Sequence, residues 1–101
     1  MEKKQFTATA VRWFDRMFGN TYHSVRILRH ADGAILPCRW RYGYEDHYRQ
    51  TAIEEMAAAG WIPAKYAKTG HLYERENGYP ISWSVSDGLK REMIANGRGD
   101  Q

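Results

Sequence analysis

Apolar and polar positions alternate along residues 5–42 with the period of two that is typical of β-strands. Three strands are predicted, at 5–15, 21–29 and 34–42. Short turns separate them, and both Gly19-Asn20 and Asp32-Gly33 suit the positive φ angles that hairpin turns require. The segment is therefore predicted to be a three-stranded antiparallel meander.

The same alternation predicts which side chains share a face of the sheet. In the second strand, one face carries His23, Val25 and Ile27, and the other carries Tyr22, Ser24, Arg26 and Leu28. In the third strand, one face carries Leu36, Cys38, Trp40 and Tyr42, and the other carries Arg39 and Arg41. Pro37 has no backbone N–H to donate, so this strand is predicted to lie at a sheet edge or to be bulged there.

Helical spacing replaces the alternation after Gly43 and predicts a helix over 46–59. The residues expected to face the sheet are Tyr48, Ala52, Ile53 and Met56. The carboxylate of Asp46 is predicted to cap the first turn. Gly60 suits the left-handed position that ends many helices, and Trp61 is then expected to pack on Met56.

The last third of the chain is predicted from its turn residues. After a connection over 62–70, Asn77-Gly78 is the strongest hairpin signal in the chain, and it predicts two antiparallel strands within 71–85. Residues 87–96 fit two structures, because their apolar spacing favours a short helix whereas Asp87-Gly88 would suit a further hairpin turn. We favour the helix.

Together these elements predict an α+β fold, with an antiparallel sheet of about four or five strands and one main helix packed on one face. Their order along the chain is βββα-ββ(α). A chain of 101 residues has room for one hydrophobic core, so residues 1–101 are predicted to form a single domain.

The net charge of +3 conceals an uneven distribution. Residues 1–44 carry eight Lys or Arg and three Asp or Glu, a balance of +5, whereas residues 45–101 carry seven and nine, a balance of −2. Basic charge is therefore concentrated on the meander, and a surface polarised in this way steers charged partners.

The composition predicts a cytoplasmic protein that does not associate with a membrane. No apolar run approaches the roughly 18 residues of a membrane span, and the first residues lack the apolar segment of a secretory signal. Cys38 is the only cysteine, so no internal disulfide can form, which suits a reducing compartment. Because its neighbours are apolar, Cys38 is predicted to be a buried and unreactive thiol.

Residues that could catalyse a reaction or hold a metal form no recognisable pattern. The histidines, His23, His30, His47 and His71, include no H-x-x-x-H pair, and no C-x-x-C is present. Phosphate-binding and dinucleotide-binding motifs are also missing. We therefore predict no metal site, no cofactor and no enzymatic activity, and an enzyme with His23 as general base is the least favoured alternative.

Arginines and tyrosines supply the candidate binding site. Arg26, Arg39 and Arg41 are expected to project from one sheet face, with tyrosines close to them in sequence. The candidate residues are Tyr22, His23, Arg26, Arg39, Arg41, Tyr44 and Tyr48. Arginine binds phosphate and aromatic rings stack on bases, so this set suits a nucleotide or single-stranded nucleic acid. Arginines that only solvate the outer sheet face, beside packed tyrosines, would give the same pattern.

The aromatic content favours a protein partner. Four Trp and seven Tyr exceed what one small core can hide, and Trp, Tyr and Arg are the usual anchors of interfaces. The edge strand predicted at 34–42 could also pair with another chain, either in a homodimer or with a different protein.

Part of the chain resembles a family of small bacteriophage and prophage proteins. The similarity covers roughly residues 11–60 and rests on Trp13-Phe14-Asp15, Gly19-Asn20-Thr21-Tyr22-His23-Ser24-Val25, Tyr42-Gly43-Tyr44 and Gln50-Thr51-Ala52. In the family pattern a glycine often follows Tyr-Gly-Tyr, where this chain has Glu45. The resemblance implies a phage origin and action in the cytoplasm of a bacterial host, and it implies no catalytic residues.

The resulting hypothesis is a non-enzymatic phage accessory protein that binds a host or phage macromolecule, with a protein as the preferred partner. The context that the resemblance implies suits an inhibitor of a host defence system, such as an anti-CRISPR protein. The alternative is a module that binds a nucleotide or single-stranded nucleic acid on the basic sheet face.

Overall fold

The structure, a computed structural model, describes residues 4–98 of the chain. The meander consists of β1 (Phe6–Asp15), β2 (Asn20–Arg29) and β3 (Ile35–Tyr42). It is followed by α1 (His47–Ala58), one 3₁₀ turn (Ala64–Tyr66), α2 (Gly70–Glu76), β4 (Ile81–Asp87) and α3 (Lys90–Asn96). None of the helices in residues 4–98 combines the length and the apolar character needed to cross a membrane.

The four strands form one mixed sheet in the order β3-β2-β1-β4. β1 pairs antiparallel with β2 along its whole length and parallel with β4, and β3 pairs antiparallel with β2. The α+β class is therefore confirmed, and the sheet is antiparallel as predicted except at β4. β3 occupies an edge of the sheet, as the proline at position 37 predicts.

A bulge in β3 changes which side chains share a face. Cys38 lies opposite Val25 and Arg41 lies opposite His23, so two residues of β3 face the single residue between them on β2. The extra residue shifts the alternation by one position. Trp40 and Tyr42 therefore lie on the face opposite Cys38, and the prediction that all three share a face is wrong.

α1 packs on the sheet face that carries the small and branched core residues of β1 and β2. Ala52, Ile53 and Met56 of α1 are completely buried, as the helical spacing predicts. Their sheet neighbours in the core are Ala8, Ala10, Val25 and Ile27, which are also completely buried. Removing each large apolar side chain from water contributes roughly 1.5–3 kcal/mol, so this face is the main source of stability.

Both ends of α1 lie where they are predicted, but the predicted side-chain cap at its start is not formed. Gly60 has a φ of 76°, and the amides of Gly60 and Trp61 donate to the carbonyls of Ala57 and Met56 at 3.1 and 2.9 Å, which is the Schellman pattern. Asp46 occupies the N-cap position, but its side chain makes no cap hydrogen bond. With φ −99° and ψ 19°, its backbone lies outside the extended region in which a carboxylate reaches the first amides.

The hairpin predicted within 71–85 is wrong. Its first strand, predicted at 71–76, lies entirely within α2, and Asn77-Gly78 ends that helix instead of turning a hairpin. Gly78 has a φ of 72°, and the Tyr79 amide donates to the Glu74 carbonyl at 2.7 Å. A helix end and a tight hairpin turn both require a residue with positive φ, so Asn-Gly alone does not discriminate between the two. β4 then runs parallel to β1.

The short helix predicted within 87–96 is confirmed as α3, and it adds a layer on the second sheet face. The Asn96 amide group donates to the Thr9 carbonyl at 3.0 Å and to the Ser24 hydroxyl at 3.2 Å. The Ser24 hydroxyl in turn donates to the carbonyl of Met93, whose side chain is buried. Ser24 points away from α1, so helices cover parts of both faces.

Glu45 carries backbone strain in the turn between β3 and α1. Its φ is 55°, a left-handed conformation that costs a residue with a side chain roughly 1–2 kcal/mol. We expect Glu45→Gly to raise the free energy of unfolding by about 0.5–1 kcal/mol, because the relief of strain exceeds the extra chain entropy of glycine. Urea unfolding checks this, and Glu45→Ala, which keeps the strain, should show no such gain. Equal stabilities of the two variants would contradict the prediction.

Candidate partner-binding surface

One end of the sheet gathers aromatic and apolar side chains that the core leaves exposed. At this end β1 turns into β2, β3 finishes and α3 begins. The hairpin-end surface consists of Trp13, Phe14, Met17, Phe18, Tyr22, Trp40, Tyr42, Tyr44 and Leu89. Seven of these residues expose half or more of their surface, from Trp40 at 50% to Met17 at 82%. This end of the molecule is therefore unusually apolar for a surface in contact with water.

An aromatic cluster centred on Tyr22 forms one part of this surface. The Tyr22 ring stacks on Trp13 at a centroid distance of 5.7 Å and meets the edges of Trp40 and Tyr42 at 5.5 and 5.8 Å. Each aromatic pair contributes about 0.5–1.5 kcal/mol beyond its buried area. The bulge in β3 makes this cluster, because it places Trp40 and Tyr42 on the face of Tyr22. The ammonium group of Lys90 lies 5.4 Å from the Trp13 ring.

A groove of about 1010 Å³ forms the other part, between the end of β1, the turn after β3 and the start of α3. Phe14, Met17, Tyr44 and Leu89 contribute its apolar lining. The Arg12 guanidinium, also in the lining, donates to the Asp87 carboxylate at 3.1 Å and to the backbone carbonyl at position 45 at 3.3 Å. The cationic charge of Arg12 is therefore paired, and exposed apolar side chains remain for a partner.

The residues predicted as a binding site divide among several parts of the structure. Tyr22 and Tyr44 belong to the hairpin-end surface. His23 and Tyr48 are only 1% and 7% exposed, and they pack between the sheet and α1. Tyr48 meets the Trp83 ring edge to face at 5.5 Å, which is a core contact. Both residues are thus inaccessible to a macromolecule in this structure.

The prediction that Arg26, Arg39 and Arg41 project from one face is wrong. The bulge turns Arg41 towards α1, where it donates to Glu54 and Glu55 at 2.8 and 2.7 Å. Arg26 lies on the opposite face, and its Nε and Nη2 atoms are buried without a hydrogen-bond partner in residues 4–98. Arg39 is exposed on the bulge. The converging cluster needed to bind phosphate is therefore not assembled.

His23 occupies the buried centre of the turn that joins β3 to α1. Its Nδ1 lies 3.1 Å from the Gly43 carbonyl and its Nε2 lies 2.7 Å from the Thr51 hydroxyl oxygen. A carbonyl only accepts, so Nδ1–H donates to Gly43, and in the neutral ring the Thr51 hydroxyl donates to Nε2. Burial lowers the pKa of His23 and outweighs the hydrogen bond to Gly43, which raises it, while the neighbouring His47 and Arg41 lower this pKa further. Both ring nitrogens are thus already engaged.

Gly43 is required at this turn by close approach. A Cβ atom at position 43 would lie 2.7 Å from Cδ2 of His47 and 2.8 Å from Cε1 of His23. Both distances are shorter than real Cβ contacts, so a side chain would push the two imidazoles apart. The glycine of Tyr42-Gly43-Tyr44 therefore has a packing role, and it leaves Tyr42 and Tyr44 on the surface.

The single cysteine is buried, as predicted. Cys38 is completely buried, and burial raises the pKa of its thiol to about 12. The thiolate, which is the nucleophilic form, is therefore scarce at neutral pH. Among residues 4–98, no three His, Cys, Asp or Glu side chains are grouped so that they could hold a metal ion.

Only two of the nine residues of the hairpin-end surface, Tyr22 and Tyr44, are among the site residues that the sequence predicts. Met17 and Phe18 stand next to Gly19 in a predicted turn, and this was a usable signal. Side chains at the tip of a hairpin lie beyond the sheet and cannot reach its core. Two large apolar residues in such a tip are therefore expected to be exposed.

Comparison with family models, curated proteins and solved structures finds no match to this chain. The resemblance to phage proteins therefore stays a prediction.

Proposed function

We propose that this chain is a non-enzymatic accessory protein that binds another protein through the hairpin-end surface. The observation that carries the proposal is the set of seven large apolar residues, each half or more exposed, at one end of the sheet. Isolated exposed apolar residues are common, but a concentrated patch of this kind marks interaction sites. Tyr, Trp, Phe and Met are also the residue types enriched at protein interfaces.

The local structure supports the proposal, because it fixes the patch before a partner arrives. The Asp15 carboxylate accepts from the Met17 amide at 3.0 Å, and the Asp15 carbonyl accepts from the Gly19 amide at 2.7 Å. These bonds hold Met17 and Phe18 outward at the hairpin tip. A surface that is already ordered loses less conformational entropy on binding, so more of the contact energy remains as affinity.

The resemblance to phage proteins supports a partner within an infected bacterial cell. A protein of a host defence system is the partner class that we propose first, in keeping with a small protein that acts by binding. A surface on which exposed apolar side chains outnumber cations suits a folded protein better than a phosphate backbone, whose binding rests on several Lys and Arg contacts.

We expect the double variant Met17→Ser with Phe18→Ser to lose partner binding while it keeps the fold. The two side chains are 82% and 72% exposed, so their removal takes little from the core. Truncation of an interface anchor costs about 2 kcal/mol or more, so affinity should fall at least tenfold. The measurement is quantitative capture from bacterial lysate by the immobilised full chain, followed by titration of the purified partner.

Ile35→Ser is the matched control, because Ile35 is 53% exposed but lies at the far end of β3. The control should bind as the wild type does. Nuclease treatment of the lysate should leave capture unchanged, whereas its loss would identify nucleic acid as the partner and overturn the proposal. The proposal also fails if no captured protein distinguishes the wild type from the double variant.

A further inference from the structure

β4 is an edge strand, and it lacks the features that protect β3, the other edge strand, from pairing with a second chain. β3 carries a proline, a bulge and the charged Arg39 and Arg41, which are the usual protections against pairing with another chain. β4 reads Ile-Ser-Trp-Ser-Val-Ser before Asp87, without charge or proline, and it keeps a regular register with β1 throughout. Within residues 4–98, no strand pairs with its outer side. An unguarded, regular edge of this kind is a template for strand addition.

The backbone hydrogen bonds show which groups of β4 point outward. The Pro80 carbonyl accepts from the Gln5 amide at 2.7 Å, and the Gly88 amide donates to the Arg12 carbonyl at 2.8 Å. Even-numbered residues of β4 therefore direct their backbone groups towards β1. Because backbone groups alternate in direction along a strand, the odd-numbered residues direct their N–H and C=O groups towards the open edge. These residues are Ile81, Trp83, Val85 and Asp87.

We propose that β4 pairs antiparallel with β4 of a second copy, around a two-fold axis at Ser84. In this register Trp83 lies opposite Val85 of the second copy, and Ile81 lies opposite Asp87 of the second copy. All four are residues whose backbone groups point outward, so each opposed pair exchanges two hydrogen bonds. The register uses all seven residues of the strand and doubles the four-stranded sheet.

The central side chains of β4, residues 82–86, are self-complementary in the same register. Ser84 lies opposite Ser84 of the second copy, and Ser82 lies opposite Ser86 of the second copy. One face of the new ladder therefore pairs serine with serine. On the other face Trp83 meets Val85, which is 37% exposed in the single chain. Serine pairs and aromatic pairs with β-branched residues are favourable neighbours across antiparallel strands. The same patch on both subunits gives the closed symmetry that most homodimers have.

The Trp83 ring is held in place for this contact. Its indole N–H donates to the Glu74 carboxylate at 2.8 Å, and its ring meets the buried Tyr48. The strand therefore presents a fixed surface rather than a mobile one. None of the nine residues of the hairpin-end surface lies on β4, although Asp87 borders its groove, so dimer formation and partner binding are tested by different substitutions.

Ser84→Lys tests the proposal, because it places two ammonium groups opposite each other at the two-fold axis. We expect the wild type to sediment at twice the 11.8 kDa of the chain and the variant to be a monomer at the same concentration. Ser84 is exposed, so the variant should keep the circular dichroism spectrum of the wild type. Mixing Ser84→Lys with Ser84→Glu should restore a heterodimer, since lysine then faces glutamate.

Ile35→Lys on the β3 edge is the control, and it should leave the dimer intact. Hydrogen exchange supplies a second measurement, since the Trp83 and Val85 amides should be protected in the wild type and exposed in Ser84→Lys. A wild type that stays monomeric at every concentration overturns the proposal. A dimer that Ile35→Lys disrupts and Ser84→Lys does not would overturn it as well.

Discussion

Gly97→Ala is expected to lower the free energy of unfolding by about 1–3 kcal/mol, the usual cost of forcing extra atoms into a packed site. A Cβ atom at position 97 would lie 2.6 Å from the backbone oxygen of Cys38 and 3.1 Å from the Cα of Arg39. These are backbone atoms of β3, and they cannot move aside as a flexible side chain can. The end of α3 must therefore shift away from the sheet.

The cost is large because α3 is anchored at that end by polar contacts that a shift would break. The Asn96 amide group bonds β1 and β2 through Thr9 and Ser24, and the hydroxyl of Ser24 bonds the carbonyl of Met93. Separation of α3 would leave these buried groups unsatisfied. A loss of 1 kcal/mol lowers the melting temperature of a domain of this size by about 4–8 °C, so calorimetry resolves the effect.

Gly88→Ala is the matched control for this prediction. Its Cβ atom would approach the carboxylate oxygen of Glu92 at 2.8 Å and a methyl group of Val11 at 3.1 Å, and the glutamate can rotate away at the cost of its hydrogen bond from the Leu89 amide. The control should therefore cost less than Gly97→Ala. Hydrogen exchange should also show faster exchange along α3 in Gly97→Ala alone. Equal melting temperatures for Gly97→Ala and the wild type would contradict the proposed packing.

Much of the fold could be predicted because periodicity and turn chemistry are local properties. The alternation predicts β1, β2 and β3, and the helical spacing that includes Ile53 and Met56 predicts α1 with its buried face. The Schellman end at Gly60 could also be predicted, since the glycine follows directly after the apolar pattern. In each case the sequence pattern and the tertiary structure require the same residues.

The predicted fold is wrong where one local sequence signal is compatible with two different structures. Asn77-Gly78 supplies a left-handed residue, which ends a helix as well as it turns a hairpin, so α2 was predicted as a strand. The parallel pairing of β4 with β1 depends on contacts far apart in the sequence, which periodicity does not describe. The bulge in β3 likewise has no signal at its own position, although the neighbouring Pro37 indicated an irregular edge.

The bulge accounts for most of what was missed at the candidate site. With a regular ladder, Arg41 would lie on the outer face with Arg26, and Trp40 would lie above the core. The one additional residue of the bulge moves each of these two side chains to the opposite face of the sheet. It sends Arg41 to the glutamates of α1 and brings Trp40 beside Tyr22. The predicted basic face and the observed aromatic cluster therefore differ by a single step in strand register.

His23→Leu is expected to lower the free energy of unfolding at about pH 8 by roughly 1–3 kcal/mol, because the buried Gly43 carbonyl loses its donor. Leucine is similar in size, so the packing beside Thr51 is largely kept. The Thr51 hydroxyl can bond a carbonyl of its own helix instead, so most of the loss arises at Gly43. Chemical unfolding of the two proteins measures the difference directly.

The same substitution should remove a pH dependence of the free energy of unfolding. The sign of this dependence follows from the lowered pKa of His23. The folded protein binds the imidazole proton more weakly than the unfolded chain, whose histidine has the ordinary value of 6.5. As the pH falls from 6.5 towards the lower pKa of the folded state, the unfolded chain takes up more protons and stability decreases. Above 6.5 both states are neutral, and this contribution is fully retained.

The difference in stability between wild type and His23→Leu isolates this effect, because the other titrating groups are common to both proteins. That difference should be largest at about pH 8 and should shrink by at most about 1.4 kcal/mol per pH unit below 6.5, the limit for one proton. His71→Gln, which removes an exposed histidine, should follow the wild-type profile. A difference that stays constant from pH 8 to pH 5 would show that His23 is equally protonated in both states, and the buried neutral imidazole would have to be abandoned.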